Sequence, residues 1–187
     1  MTRVRGLVSA LQEGISKKSG KKYAMVTIED LTGSVQMLLM NENYDRFRSL
    51  LNINVPVLVT AEVNTGEDRP KLFPQEILRL EEAPRKFTRQ VHVRLQADAM
   101  DAVRLEALRT LIEEHRGKIP LFLNLRMANG ATAYLEANDQ FYVTPSAQLE
   151  EAINASIGAD AYWTRVDTSL PERAPRKWER RGSGDDG

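Results

Sequence analysis

The sequence predicts a small β-barrel followed by an α+β domain and a polar tail. Three observations support this. Between residues 4 and 40, apolar and polar side chains alternate in three runs separated by short turn-forming stretches, the period-two pattern of strands. The period then changes once, where Tyr44, Phe47 and Leu51 recur at helical spacing. Two more strand-like runs follow, Pro56–Val63 (PVLVTAEV) and Lys71–Leu80.

Taken in order, Val4–Ile15 is a long strand in which Gly6 and Gly14 are available for a bend or bulge. Ser16–Lys22 is a loop holding Lys17, Lys18, Lys21 and Lys22. In Tyr23–Glu29, Ala24, Val26 and Ile28 point one way and Tyr23, Met25 and Thr27 the other. Asp30-Leu31-Thr32-Gly33 has the Asp-first, Gly-last chemistry of a type I turn. Ser34–Met40 opposes Val35, Met37 and Leu39 to Gln36, Leu38 and Met40. Asn43 is the expected N-cap of the helix, and Asn52 or Asn54 its stop. Asn64–Pro70 is a polar hairpin loop, and Pro74 implies a bulge or an edge in the last strand. Five strands with one helix after the third is the order of the five-stranded OB-fold. The second and third strands of that barrel, with the loops between strands one and two and four and five, commonly bind oligonucleotides. The barrel domain is expected to span residues 1–82.

Glu81–Arg89 is polar, carries a proline and has no period, which marks a boundary. An α+β domain over residues 88–165 follows. Val91–Leu95 is a strand; Asp98 caps a helix to His115 whose inner face is Leu105, Leu108 and Ile112, with Gly117 just past its end. Pro120–Leu125 and Ala131–Leu135 form a hairpin through Ala128-Asn129-Gly130. Gln140–Val143 is a further short strand, and Ser146 caps a last helix to Ile157. Leu121 and Phe122 cannot both face inward on one strand, and Tyr162 and Trp163 follow the last helix, so one of each pair is expected in an interface. Residues 166–187 are a flexible tail, densest in proline, glycine and charge after Pro171.

The 187 residues carry no cysteine and a formal net charge of +0. A disulfide framework and thiolate chemistry are excluded. The charge splits mildly, +2 over residues 1–80 and −2 over 81–187, so anion binding must come from local placement of charge. His92 and His115 are far apart in sequence, Glu29-Asp30 sits at a turn, and no glycine-rich phosphate loop occurs. No catalytic residue, metal site or cofactor is expected. No apolar run approaches the ~20 residues of a membrane helix, and a cytoplasmic protein is expected.

The lysine loop carries the functional expectation. Four like charges in six residues repel one another unless an anion uses them. Lys17, Lys18, Lys21 and Lys22 are the candidate phosphate contacts. Tyr23, Met25, Gln36 and Leu38 line the outer face of the second and third strands, with Tyr23 available to stack on a base. Lys71 and Phe73 extend the candidate surface to the last strand.

At "YAMVTIEDLTGSVQMLLMNENYDRFRSLL" the chain resembles the OB domain near the C-terminus of the alpha subunit of bacterial DNA polymerase III. Gly20, Ala24, Val26, Thr27, Glu29, Asp30, Thr32 and Gly33 match that family's T-x-x-G-x-x-M-A-F-V-T-L-E-D-x-T-G pattern. Met25 and Met40 stand where the family often carries aromatics. "FTRQVHVRLQAD" resembles the subunit's extreme C-terminal domain. The resemblance implies the C-terminal fragment of a larger polymerase subunit, or a stand-alone remnant of it. The implied partners are single-stranded DNA for the OB domain and the clamp loader's tau subunit for the second domain; the polymerase's catalytic carboxylates lie upstream of the matched region. Gln96–Met100 (QADAM) offers the Gln and spacer of a sliding-clamp peptide, but Ala99-Met100 closes it poorly, and a helix cap at Asp98 is the preferred reading. The alternatives are an RNA-binding OB module related to tRNA synthetase anticodon domains, and a structural interaction protein.

Overall fold

The computed structural model describes residues 1–66 and 69–172. These pack as two units, residues 1–80, with which 169–172 cluster, and residues 81–168. Residues 173–187 of the expected tail lie outside the described residues.

The first unit contains β1 (Thr2–Ile15), β2 (Lys22–Asp30), β3 (Gly33–Met40), α1 (Glu42–Phe47), a 3-10 turn (Arg48–Leu50), β4 (Pro56–Asn64) and β5 (Lys71–Arg79). They close into a barrel in the order β1-β2-β3-β5-β4. β1 serves two partners. Thr2–Leu7 pairs with Ala61–Pro56 of β4, and Leu7–Ile15 with Glu29–Lys22 of β2. Closure comes from a short parallel contact, Gln36 beside Lys71 and Met37 beside Leu72. The inward set is the one the alternation predicts: Ala24, Val26, Ile28, Met37 and Leu39 are buried. Phe47 and Leu51 join that core, with Tyr44 packed against it.

The glycines of β1 do not make its bulge. Val8 faces Ile28 and Ala10 faces Thr27, so Ser9 is the extra residue. Gly6 instead permits a close approach, since a Cβ there would lie 2.6 Å from Ile28 Cγ2 and 2.7 Å from the Glu29 carbonyl oxygen. The expected bulge at Pro74 is present, with Thr60 opposite Glu76 and Ala61 opposite Pro74, leaving Gln75 over. The cap of α1 is Asn41, not Asn43; the Asn43 amide donates to the Pro74 carbonyl at 2.8 Å. Asn41 holds φ 53°, a left-handed turn out of β3 that asparagine tolerates. Asn54, at φ 66°, turns the chain toward β4.

One ion pair ties β1 to the helical segment. The Glu13 carboxylate accepts from Arg48 Nε at 2.6 Å and Nη2 at 2.9 Å, and from the Tyr44 hydroxyl at 2.6 Å. These bonds, Arg48 first, lower the Glu13 pKa from an ordinary 4.5 to about 2.

The second unit contains α2 (Ala83–Phe87), β6 (Thr88–Gln96), α3 (Ala102–Glu114), β7 (Arg116–Ile119), β8 (Leu121–Arg126), β9 (Thr132–Glu136), α4 (Ala147–Ile157) and β10 (Tyr162–Val166). Its sheet runs β10-β6-β8-β9, with β6 and β8 parallel. One face packs on α3 and α4: Val91, Val93 and Leu121 share a core with Leu108, Ile112, Leu149 and Ile153. The boundary stretch is helical, not irregular, because Pro84 sits in the first turn of α2, where its missing N–H costs nothing. Asp101, not Asp98, caps α3, accepting from the Arg104 N–H at 2.8 Å; residues 97–99 form a 3-10 turn. Leu105 is 48% exposed and lies off the core face. Gly117 is inside β7, packed against Val143 and Thr144. Gln140–Val143 is not a strand; Asp139–Phe141 is a 3-10 turn, and Val143 makes only isolated bridges to β7. Ser146 caps α4 as expected, and Gly130 turns the β8–β9 hairpin at φ 83°. β10 was not expected; it pairs with β6, and Val166 opposite Thr88 belongs to the sheet. Leu121 and Tyr162 face the core, while Phe122 and Trp163 take the opposite face.

Gly6→Val is expected to destabilise the barrel by about 1–3 kcal/mol through overpacking at the β1 crossing. Gly33→Ala, which meets nothing within 4 Å, should stay within about 0.5 kcal/mol. Urea midpoints measure both, and an unchanged midpoint for Gly6→Val would show slack at the crossing. Glu13 should titrate near 2 by NMR in the folded chain. Its folded pKa lies below the unfolded one, so its stabilisation is full above about 4.5 and fades as pH falls toward 2. Arg48→Met should return the Glu13 titration toward its ordinary range.

Candidate nucleic-acid interface

The β2–β3 hairpin builds the site. Its turn is tight because the Asp30 carboxylate accepts from the Thr32 N–H at 2.7 Å, the Thr32 hydroxyl at 2.6 Å and the Gly33 N–H at 3.1 Å. Those bonds hold the Asp30 carboxyl below the usual carboxylate range, the Thr32 hydroxyl contributing most. With the turn fixed, register follows: Tyr23 faces Met40, Met25 faces Leu38 and Thr27 faces Gln36. Because alternate residues fill the barrel, these pairs stand on its outside.

The first two pairs line a groove of about 490 Å³. Tyr23, Met25, Leu38 and Met40 give it an apolar floor, and Ser16, Ser19, Lys21, Lys22 and Asn41 its rim. Tyr23, Met25 and Leu38 are half-buried, and Met40 is 45% exposed. Gly14 lets the Tyr23 ring lie against β1, since a Cβ there would come within 2.8 Å of the ring.

The lysine loop is closed by its own backbone. The Ser16 N–H donates to the Lys21 carbonyl at 2.9 Å, and the Gly20 N–H to the Ser16 carbonyl at 2.8 Å. The Ser19 N–H donates to Ser16 Oγ at 3.3 Å, and Gly20 takes φ 67°. This turn brings Lys21 and Lys22 to the groove; Lys17 and Lys18 sit exposed on the loop without lining it. Glu13 would set a negative charge near Lys22, but the Arg48 fork neutralises it.

The structure therefore joins Lys21, Lys22, Tyr23, Met25 and Leu38 in one groove. Gln36 and Lys71 are neighbours across the β3–β5 contact but do not line it. Phe73 lies in a different hollow of about 470 Å³, with Asn43, Glu62 and Pro74. Sequence reasoning missed the rim residues Ser16, Ser19 and Asn41. Asn41 had a usable signal, an asparagine where a strand must turn into a helix. Among the described residues, no group of three or more His, Cys, Asp or Glu side chains is placed to hold a metal ion. Among the described residues, no helix is long and apolar enough to cross a membrane.

Residues 2–80 match the family model described as an OB-fold nucleic acid binding domain. The chain is 30% identical over 159 residues to the DNA polymerase III subunit alpha of Pseudomonas aeruginosa, covering 84% of this chain and 13% of that protein. It is 27% identical over 158 residues to the same subunit of Escherichia coli K12, covering 83% and 13%. The chain thus spans a small part of these relatives' length. Among solved structures, the second OB-fold domain of replication protein A from Methanococcus maripaludis aligns at a TM-score of 0.34 and 20% identity, over 42% of this chain and 82% of that one. Residues 2–80 form a five-stranded OB-fold barrel that matches the family of OB-fold nucleic acid binding domains, and over most of its length the chain is similar to the alpha subunit of bacterial DNA polymerase III.

Proposed function

We propose that this chain is a non-catalytic, DNA-gripping and tethering portion of a replicative polymerase subunit. Its first unit binds single-stranded DNA with little base preference. The observation that supports this is the groove, where an apolar floor ending in Tyr23 is rimmed by Lys21 and Lys22. A single strand offers what such a groove takes, planar bases for the floor and phosphates for the rim. The floor is apolar, and stacking on it tolerates any base, so discrimination is weak. The similarity to DNA polymerase III alpha favours DNA over RNA.

The second unit docks a protein, the clamp loader's tau subunit. That reading rests on the similarity and on Val103 and Leu105, which expose 78% and 48% of their surface on α3. Exposed apolar side chains on one helix suit a protein partner. Met100 packs against the second core, and no sliding-clamp contact is proposed through Gln96–Met100.

Fluorescence anisotropy with oligo(dT) over a salt series tests the groove. With Lys21 and Lys22 on phosphates, the groove should contribute a slope of roughly −1.4 to log affinity against log salt, from about −0.7 per phosphate on single strands. A flat response would remove the phosphate contacts from the reading. Tyr23→Ala should weaken binding by about 1–3 kcal/mol. Tighter binding of tRNA than of oligo(dT) at one salt concentration would favour the RNA-binding alternative, and binding of neither would favour a structural role. Val103→Asp with Leu105→Asp should weaken tau capture and leave oligo(dT) affinity unchanged.

A further inference from the structure

We propose that the second unit carries its own contact surface for single-stranded nucleic acid, the sheet face opposite α3 and α4, where bases stack on Tyr134 and Trp163 and phosphates meet Arg94, Arg126 and Arg165. This shares a ligand class with the proposed function but does not use the OB groove.

Register places these side chains on one face. Trp163, His92 and Phe122 form a row across β10, β6 and β8. The next row holds Arg94, Asn124 and Tyr134, and the one beyond it Gln96 and Arg126. Alternation puts them on the face opposite Val91, Val93 and Leu121. The first row is a ring ladder: His92 lies between Phe122 and Trp163, with ring centroids 5.0 Å apart on each side and interplanar angles of 22° and 11°. That spacing is close to the strand separation, so the sheet itself sets the repeat. It is also near the range of offset-stacked aromatic rings, and a planar base continues it.

The ladder is held rigid. His92 is 4% exposed, its Nδ1 is 3.3 Å from Asn124 Nδ2 and its Nε2 is 3.3 Å from Gln90 Oε1. Burial first, then the positive charge of Arg165, lowers its pKa and favours the neutral ring. Asn124 is 2% exposed, and its Oδ1 is a buried acceptor with no hydrogen-bond partner. Tyr134 beside it is 70% exposed.

Charge selects the occupant. Arg94, Arg126 and Arg165 are all exposed, and Arg94 lies 5.0 Å from the Trp163 ring centroid. Among the described residues none of the three meets a carboxylate. Glu136 is the acid opposite Phe122, and it accepts from the Tyr142 hydroxyl. An apolar partner would bury three unpaired guanidinium groups at a cost. An anionic polymer with planar rings satisfies both the arginines and the aromatics.

The test uses the full chain carrying Trp178→Phe, which leaves Trp163 as the one tryptophan reporter of the two in the sequence. Oligo(dT) is titrated while Trp163 emission and the anisotropy of the labelled oligonucleotide are followed together. Quenching of Trp163 in step with binding is expected. Tyr134→Ala, at an exposed position, should weaken binding roughly fivefold or more. Arg94→Ala, Arg126→Ala and Arg165→Ala together should reduce the salt slope by about 2. Quenching that survives Lys21→Ala with Lys22→Ala supports this face independently of the OB groove. Binding by anisotropy with unchanged Trp163 emission and an unchanged slope in the arginine variant overturns this proposal and leaves the groove reading intact.

Discussion

The first unit depends on one strand serving two partners. β1 must leave β4 and take up β2 around Leu7 without opening the barrel. That transfer needs a close approach, which Gly6 permits, and a change of register, which Ser9 supplies. Had β1 stayed with β4, the β2–β3 hairpin would have no inner neighbour, and the alternation of Ala24, Val26 and Ile28 would bury nothing. Closure through Gln36–Lys71 and Met37–Leu72 is short, so the long β1 pairings carry most of the barrel's order. The groove inherits its geometry from this. Tyr23 lies over Gly14 because β1 continues past β2 to its end.

Electrostatics are handled locally, as a net charge of zero requires. The Lys21–Lys22 rim would lose field to Glu13 if that carboxylate faced it unpaired. Arg48 and Tyr44 take up its charge and hydrogen-bonding capacity, and the same contacts pin α1 to β1. A stabilising ion pair thus also keeps the rim positive, at partly exposed positions where salt screens each charge.

The barrel was legible because its signals are local. Alternation, the Asp30 turn and the single shift to helical period each lie within a few residues, and each survived in the structure. Part of what was misread depended on partners distant in sequence, and part on which of two adjacent local signals prevailed. β10 has only five residues and becomes a strand by pairing with β6, some seventy positions earlier. Gly6 and Gly14 looked like bulge residues, but what they accommodate is Ile28 and Tyr23 across the sheet. Asp98 and Asp101 offered the same capping chemistry three residues apart, and the 3-10 turn at residues 97–99 decided between them. Pro84 was read only as part of an aperiodic boundary, whereas its place in the first turn makes it a helix starter. In the site, the lysine cluster was legible but not its division into two groove lysines and two outlying ones. The hollow of Phe73 follows from the β4–β5 pairing, which puts Glu62 opposite it, and no local pattern encodes that.

The two units solve the problem of a sheet's second face differently. The barrel closes on itself, so its inner face is the core and its whole outer face must be polar, covered or used. Apolar Met25, Leu38 and Met40 on that outer face are hard to explain by folding alone, because the core is complete without them. The second sheet is open, and two helices cover one face of it. Its other face buries a histidine and an asparagine among aromatics, and leaves an asparagine oxygen unsatisfied. A surface shaped only for folding would place threonine or valine in those rows and avoid the unpaired acceptor. In both units, then, the residues that packing does not require are aromatic, amphipathic or basic, and they cluster on the faces that the architecture leaves over.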